Sequence, residues 1–468
     1  MNNTMKLTKL LSLICTLCLM LSSCSSIYKY DHIPDTSDAK DTIDMSEEYF
    51  TTGEVISGAV GNLGIIYEGQ WIYVESTKVQ VEGSGTTVAE RIVKYNPVTN
   101  TVSSVCLDPT CFHSSEECML CAPYTWLVSN IDIFGNWMMY TFTNIFADED
   151  DFDIRRTYLY NLKTGEARKL YINSKEDSII KKISMSFEMK GKIYSTNRVL
   201  DYTGEEEYYA AADEDAPPFV PESHQFVEVY DPDNQKFERL FEISDDYLMV
   251  GITNKRIFFK DSAGCTWSVN HKGENLTEEK NMNFDFMMAC GKYIYIPEEV
   301  DYLEKGYNLQ GYDIVSETVF NVDYGCQIRK QVIESGKLCF TTMSNIDEYK
   351  RFVKNTIAYL QELYPDITDP YELVKHEQEV RNKLLYSGTL QIYVTDARGE
   401  NKELIFEGEH MQFYPHRISD KYIFGKVTYG DPNKNYRPIK DTTDRRCVIN
   451  IETGEITLIP QFEVMLNN

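Results

Sequence analysis

The 468-residue chain has little tryptophan and histidine, with 4 and 7 copies, and little positive charge, with 46 Lys and Arg against 73 Asp and Glu. A formal charge of -27 repels phosphate backbones, which excludes a general nucleic-acid binder. It also repels an anionic bilayer, so residence at a membrane needs an anchor rather than a basic patch. Familiar catalytic signatures are missing. Neither a GxSxG elbow nor an HExxH helix occurs, and no GxxxxGK[ST] loop or GxGxxG turn follows a strand. These absences remove the enzymes those motifs define. An enzyme built on carboxylates is not removed, because a placed pair cannot be singled out from 73 acids. Beyond Cys24 no apolar run approaches the roughly 20 residues of a membrane-spanning helix.

What is present begins at the N-terminus. Lys6 and Lys9 precede an apolar run from Leu10 to Leu21, the layout of a secretory signal. The run ends in Leu21-Ser22-Ser23-Cys24, which resembles the lipobox of bacterial lipoproteins. That resemblance implies a signal peptide over residues 1–23 and acylation of Cys24, with a palmitate-type anchor. The chain is then held at the extracytoplasmic face of a bacterial cell membrane. Residues 24–48 are polar and acidic and read as a flexible tether, leaving residues 49–468 as the folded domain.

A short pattern recurs through that domain: a β-rich run, an Asn or Asp, a few turn residues, then another run. The openers are Asn96, Asn161, Asp231, Asn270, Asp313, Asp396 and Asn450. Such residues open turns by bonding their own backbone. A further β-rich run precedes each hairpin, as in Trp71-Ile72-Tyr73-Val74 and Trp137-Met138-Met139-Tyr140, and a weaker one comes before that. The chain therefore reads as an all-β, seven-bladed propeller of four-stranded antiparallel blades, which buries each sheet against its neighbours.

If the strands of a blade are A to D, the B–C and D–A connections share one rim. The insertions fall there: Asn144 to Arg156, Val199 to Gln225, Thr428 to Asp444, and the largest, about Ser344 to Gly388. Loops on a rigid scaffold are where binding usually resides. Within the largest, residues 345–386 read as a helical hairpin in blade six. Ile346, Tyr349, Val353, Ile357, Leu360 and Leu363 follow helical spacing. Asp369, Pro370 and Glu372 mark a second helix start. Such a hairpin either buries its own apolar face or docks a partner.

Cys106, Cys111, His113 and Cys118 form a Cys-x4-Cys-x-His-x4-Cys loop, with Cys121 just beyond. Three thiolates and an imidazole suit a structural zinc or iron. Two disulfides, which an exported chain permits, and reduced thiols are the other readings. Cys265, Cys290, Cys326, Cys339 and Cys447 read as small core residues.

With its lipobox, its seven β-rich units and this loop, including Asp108 and Pro109, the sequence is similar to surface lipoproteins of Gram-positive bacteria. That group carries domains of unknown function, with a propeller similar to that of the low-density-lipoprotein-receptor-related proteins. Cys121 departs from the pattern. The resemblance implies location and fold rather than a reaction. The functional reading is a lipid-anchored recognition or scaffold protein, binding a glycan, peptide or protein partner on the rim of long B–C loops. Tyr202, Tyr208, Tyr209 and His224 are its contact residues. The alternative is a carbohydrate-active hydrolase or lyase using the same rim.

Overall fold

The computed structural model describes residues 48, 50–54, 64–81, 85–111, 118–122, 126–144, 155–172, 179–211, 217, 219–280, 288–297, 309–322, 324, 330–334, 336–442 and 444–461. These form seven antiparallel sheets taken in chain order, a seven-bladed β-propeller. Blade one is Ile65–Tyr67, Gln70–Val81, Gly85–Asn96 and Thr101–Ser104. Blade seven is Met411–Ile418, Tyr422–Asp431, Arg445–Asn450 and Ile456–Leu458. The five between repeat the same order of four strands from inner to outer edge.

Strand composition follows from position. A second strand is covered on both faces by neighbouring blades, so it reads as a continuous apolar run rather than an alternation. Trp137 to Tyr140, Ile257 to Phe259 and Leu338 to Phe340 are all buried. The outer strands are wet, and Lys236–Ile243 and Thr318–Val322 are mostly exposed or half-buried.

All seven hairpin openers stand where the sequence places them. Asn96 Oδ1 accepts from Val98 N at 2.9 Å and Thr99 N at 3.3 Å. Asn161, Asp231, Asn270, Asp313, Asp396 and Asn450 repeat this by accepting from backbone N–H groups two to four residues on. A left-handed residue then closes each turn: Asn100, Gly165, Gln235, Gly273, Glu317, Gly399 and Gly454.

The insertions of blades three, six and seven emerge between second and third strands as expected, with two differences, while residues 145–154 of the blade-two insertion lie outside the described residues. The blade-six insertion is four short helices, Ile346–Lys354, Thr356–Leu363, Pro370–Val374 and Glu377–Ser387, rather than a two-helix hairpin. Extended Asn355, at φ -146°, breaks the first long run and caps the next by accepting from Ala358 N. Asp369 caps as expected, accepting from Tyr371 N. The insertion buries its own core of Phe352, Tyr359, Leu360, Leu373, Val380 and Leu384. It rests on blade seven, where His410 Nδ1 meets Tyr386 O at 3.0 Å. In blade three, residues read as loop contain a helix, Glu205–Ala211.

Two features were not legible in the sequence. Phe50–Glu54 adds a fifth strand to the inner edge of blade five, antiparallel to Met288–Gly291, and runs beside the inner strands of blades three, four and six. Just before it, the Glu48 carboxylate accepts from Thr253 Oγ1 at 2.6 Å and Arg256 Nε at 2.7 Å.

The second feature is ring closure. Among the described residues, no strand is shared between blades one and seven. They meet through Trp71, Tyr73, Val93 and Tyr95 on one side and Phe424, Val448 and Ile459 on the other. Arg446 crosses the seam, donating from Nη2 to Val74 O at 2.6 Å and lying 3.6 Å from the Glu75 carboxylate. Arg417 Nε donates to Gly64 O at 2.6 Å. Gly64 sits at φ +77°, and a Cβ there would meet Ile72 O at 2.3 Å, so this position admits only glycine.

His416 sits in the seam with its ring 6.2 Å from Trp71. Burial, then Lys426, Arg446 and Arg417, push its imidazole down to about 3 from the usual 6.5. The unfolded chain therefore takes up this proton near pH 6.5 and the folded ring only near 3. Between those values the unfolded chain binds more protons, so stability falls as pH drops through the window and is fully present above it. Denaturant midpoints at pH 7, 5 and 4 should decline, and His416→Gln should flatten part of that slope.

Candidate functional site

The loop after the outer strand of blade one brings the sulfurs of Cys106, Cys111 and Cys118 within 4.8 Å of one another. Its shape is set locally. Asp108 Oδ1 accepts from Thr110 N at 2.8 Å and Thr110 Oγ1 at 2.7 Å, and Cys111 N donates to Asp108 O at 3.2 Å. The loop is pinned to its blade by Ile92 N donating to Leu120 O and Ala122 N donating to Glu90 O. Blade two holds the other side through Tyr140 Oη donating to Met119 O and Leu107 N donating to Tyr160 Oη.

Burial pushes the Cys106 thiol up to about 12. A hydrogen bond with Cys121, and then burial, push Cys118 higher still. Cys121, outside the sequence pattern, is thus part of the cluster. His113 lies outside the described residues. No disulfide joins the described cysteines, and thiols this close can give up their protons to bind a metal as thiolates. Tetrahedral thiolate sites place sulfurs about 4 Å apart, so the three fit a metal ion, and Cys121 is at hand as a further donor. Elsewhere, Cys339 and Cys447 are buried as expected, whereas Cys265 is exposed.

The second constellation is on the rim of blade three. His224 lies at the start of the third strand, Glu222–Asp231, rather than in a loop. Its Nδ1 is 2.9 Å from Glu242 and its Nε2 3.1 Å from Glu222. Glu222 and His224 are two apart on one strand face, and Glu242 comes from the adjacent outer strand, Lys236–Ile243. The imidazole is 42% exposed, and Glu222 and Glu242 are 74% and 58% exposed. Hydrogen bonds first to Glu242 and then to Glu222 raise its pKa above 6.5. Asp201 is nearby, its carboxyl held low by Thr203 and then by His224. Arg198 fixes the surroundings, donating from Nε to Ser223 Oγ at 2.8 Å and from Nη2 to Asp245 at 2.9 Å.

The helix Glu205–Ala211 carries aromatic residues over this rim. Tyr208 and Phe219 lie 5.6 Å apart and Tyr202 is 6.4 Å from Phe219. Tyr208 Oη donates to Pro217 O at 2.8 Å, and Tyr209 Oη accepts from Phe219 N at 3.1 Å. The phenol ends thus tie the insertion together, while Tyr209 remains 52% exposed. The sequence singled out the three tyrosines and His224 but not Glu222, Glu242 or Asp201. The i, i+2 spacing of Glu222 and His224 was readable; the strand pairing that brings in Glu242 was not. Cys24 lies outside the described residues.

The sequence matches no protein-family model and no curated protein. The fold is similar to that of the acylaminoacyl peptidase of Pyrococcus horikoshii, with a TM-score of 0.44 and 11% identity, covering 88% of this chain and 52% of that one. It is similar to the β-propeller domain of the Trilobed protease from Pyrococcus furiosus, with a TM-score of 0.41 and 10% identity, over 84% of this chain and 95% of that one. An oligogalacturonate lyase in complex with manganese has a TM-score of 0.37 and 8% identity, over 84% and 85%. The chain spans about half the length of the acylaminoacyl peptidases. The expectation of a recognition or scaffold protein without chemistry is corrected at this point. The neighbours include peptidases, an isopeptidase, a lyase and an apocarotenoid oxygenase from Synechocystis. At such identities the likeness is one of fold.

Proposed function

We propose that the chain is a carbohydrate-active enzyme, a hydrolase or lyase, working at the blade-three rim. The observation that supports this is the histidine held between two carboxylates, in a blade whose insertion also carries clustered aromatic rings. Bond cleavage at a sugar needs one group to give a proton and another to take one. Protonated His224 is the donor. Glu222 or Glu242 is the acceptor, taking a proton from the attacking water in hydrolysis or from the carbon beside a uronate carboxyl in elimination. Exposed Tyr209 offers a flat apolar surface to a sugar ring. The test is a panel of neutral and uronate glycans incubated with the full chain. Release of new reducing ends marks hydrolysis, and an unsaturated product marks elimination. Binding across the panel with no turnover would overturn the proposal.

The same reading keeps the chain on the extracytoplasmic face of the membrane through acylated Cys24, as the similarity to surface lipoproteins implies. Cys24→Ala is expected to move the chain from the membrane to the soluble fraction and to abolish acyl labelling. The thiol loop is proposed to hold one structural zinc or iron through Cys106, Cys111 and Cys118. Chain purified without oxygen or chelator should carry about one metal per molecule by elemental analysis. Cys111→Ser should lose it and melt at a lower temperature. Two disulfides mapped among Cys106, Cys111, Cys118 and Cys121 would instead make the loop a covalent staple.

A further inference from the structure

The seam between blades one and seven gathers cations within an acidic protein. On the face of blade one that meets blade seven, Arg91 stands opposite Glu75 across the second and third strands. On blade seven, Lys426 stands between Tyr414 and Arg446 in neighbouring strands. The Arg446 guanidinium lies 4.3 Å over the Tyr73 ring and 3.6 Å from Glu75. Arg417 and His416 complete the group from the inner strand.

The compensation is incomplete. Arg91 is only 6% exposed, and its Nε and Nη1 make no hydrogen bond. The Nδ1 of His416 is buried and equally unmet. Glu75 is the one carboxylate paired with Arg446 among the described residues. Among the described residues, exposed Asp444 is the one acid that acts on Lys426. Burying a guanidinium without acceptors is costly, and hydrophobic replacement would be the cheaper solution if packing were the only demand. Burial first, and then the charges of Lys426, Arg446 and Arg417, lower the proton affinity of His416.

We propose that this seam is a binding site for a small oxyanion, whose oxygens accept from the Arg91 Nε and Nη1 groups while Lys426 and Arg446 supply the balancing charge. Carboxylate and phosphate share the needed chemistry: compact negative charge with several acceptor atoms. The site lies on blades one and seven, so it stands whether or not blade three is catalytic.

The experiment is calorimetric titration of the full chain with inorganic phosphate and, separately, with galacturonate, at fixed ionic strength with chloride as control. Thermal melting at each ligand concentration accompanies it. Saturable binding of one or both is expected, together with a concentration-dependent rise in Tm. Saturation by phosphate alone or by galacturonate alone identifies which class the site takes. Arg91→Met should weaken binding at least tenfold and, with its unmet donors gone, leave the anion-free protein no less stable. Should that variant not fold, Lys426→Met, at a half-buried position, gives the same reading. No saturable binding of either anion, or binding unchanged in the folded variants, overturns the proposal.

Discussion

His224→Asn is expected to lower turnover of a glycan substrate by about 10²–10⁴-fold, the usual worth of a positioned acid or base. Asparagine keeps the size and one hydrogen bond of the imidazole but cannot pass a proton. His224, Glu222 and Glu242 are largely solvated, so the change should leave the melting temperature nearly untouched. A drop in activity with no drop in stability therefore separates chemistry from folding. The pH profile sharpens the test. Because the carboxylates raise the pKa of His224, its acid form persists above pH 6.5, and activity should fall as pH rises through the raised value. That alkaline limb should vanish in His224→Asn. If the variant keeps both the rate and the limb, the blade-three rim is not where bonds are broken. Glu222→Gln and Glu242→Gln then divide the acceptor role, since only one need take the proton.

Trp71→Ala should cost about 3–5 kcal/mol, the range for removing a large buried aromatic. Trp71 is fully buried, with its ring 4.7 Å from Tyr73 and 5.6 Å from Phe424. At other blade contacts a similar loss would be cushioned by the chain running on from one blade to the next. At the seam, no strand among the described residues is shared by blades one and seven to keep them together. The loss should therefore appear first as local opening. Backbone hydrogen exchange should accelerate in Gln70–Val81 and Tyr422–Asp431 well before the other blades respond. Phe340→Ala, at an equally buried ring in blade six, serves as the comparison. Uniform exchange in both variants would show that the seam is no weaker than any other contact.

Much of the ring was legible because each blade repeats local chemistry. An Asn or Asp followed by a left-handed residue marks a hairpin wherever it falls, and all seven were found this way. Runs such as Trp137 to Tyr140 announce strands covered on both faces. What escaped notice depends on contacts between distant segments. Nothing near Phe50 indicates that its partner is Ala289 or Gly291. The carboxylate of Glu242 reaches His224 only through the pairing of neighbouring strands. The break at Asn355 was missed because an apolar spacing reads the same through a capped interruption as through an unbroken helix. Glu205 to Glu207 lie in the N-terminal turn of a helix, where negative charge is favoured, inside an insertion expected to be a loop. Burial at a seam leaves no mark on the sequence around Arg91 and Lys426.

The strand Phe50–Glu54 also constrains the order of assembly. It emerges early in synthesis, yet the segments that hold it come far later: Glu48 and Thr253 are 205 residues apart. Until blades four and five exist, this stretch has no edge to join. Long-range pairings of this kind slow folding, and chains of this size commonly fold through intermediates. The last blades must then close around a segment that was made first. A nascent chain halted before blade five should therefore leave residues 48–54 open to protease, and the completed protein should shield them.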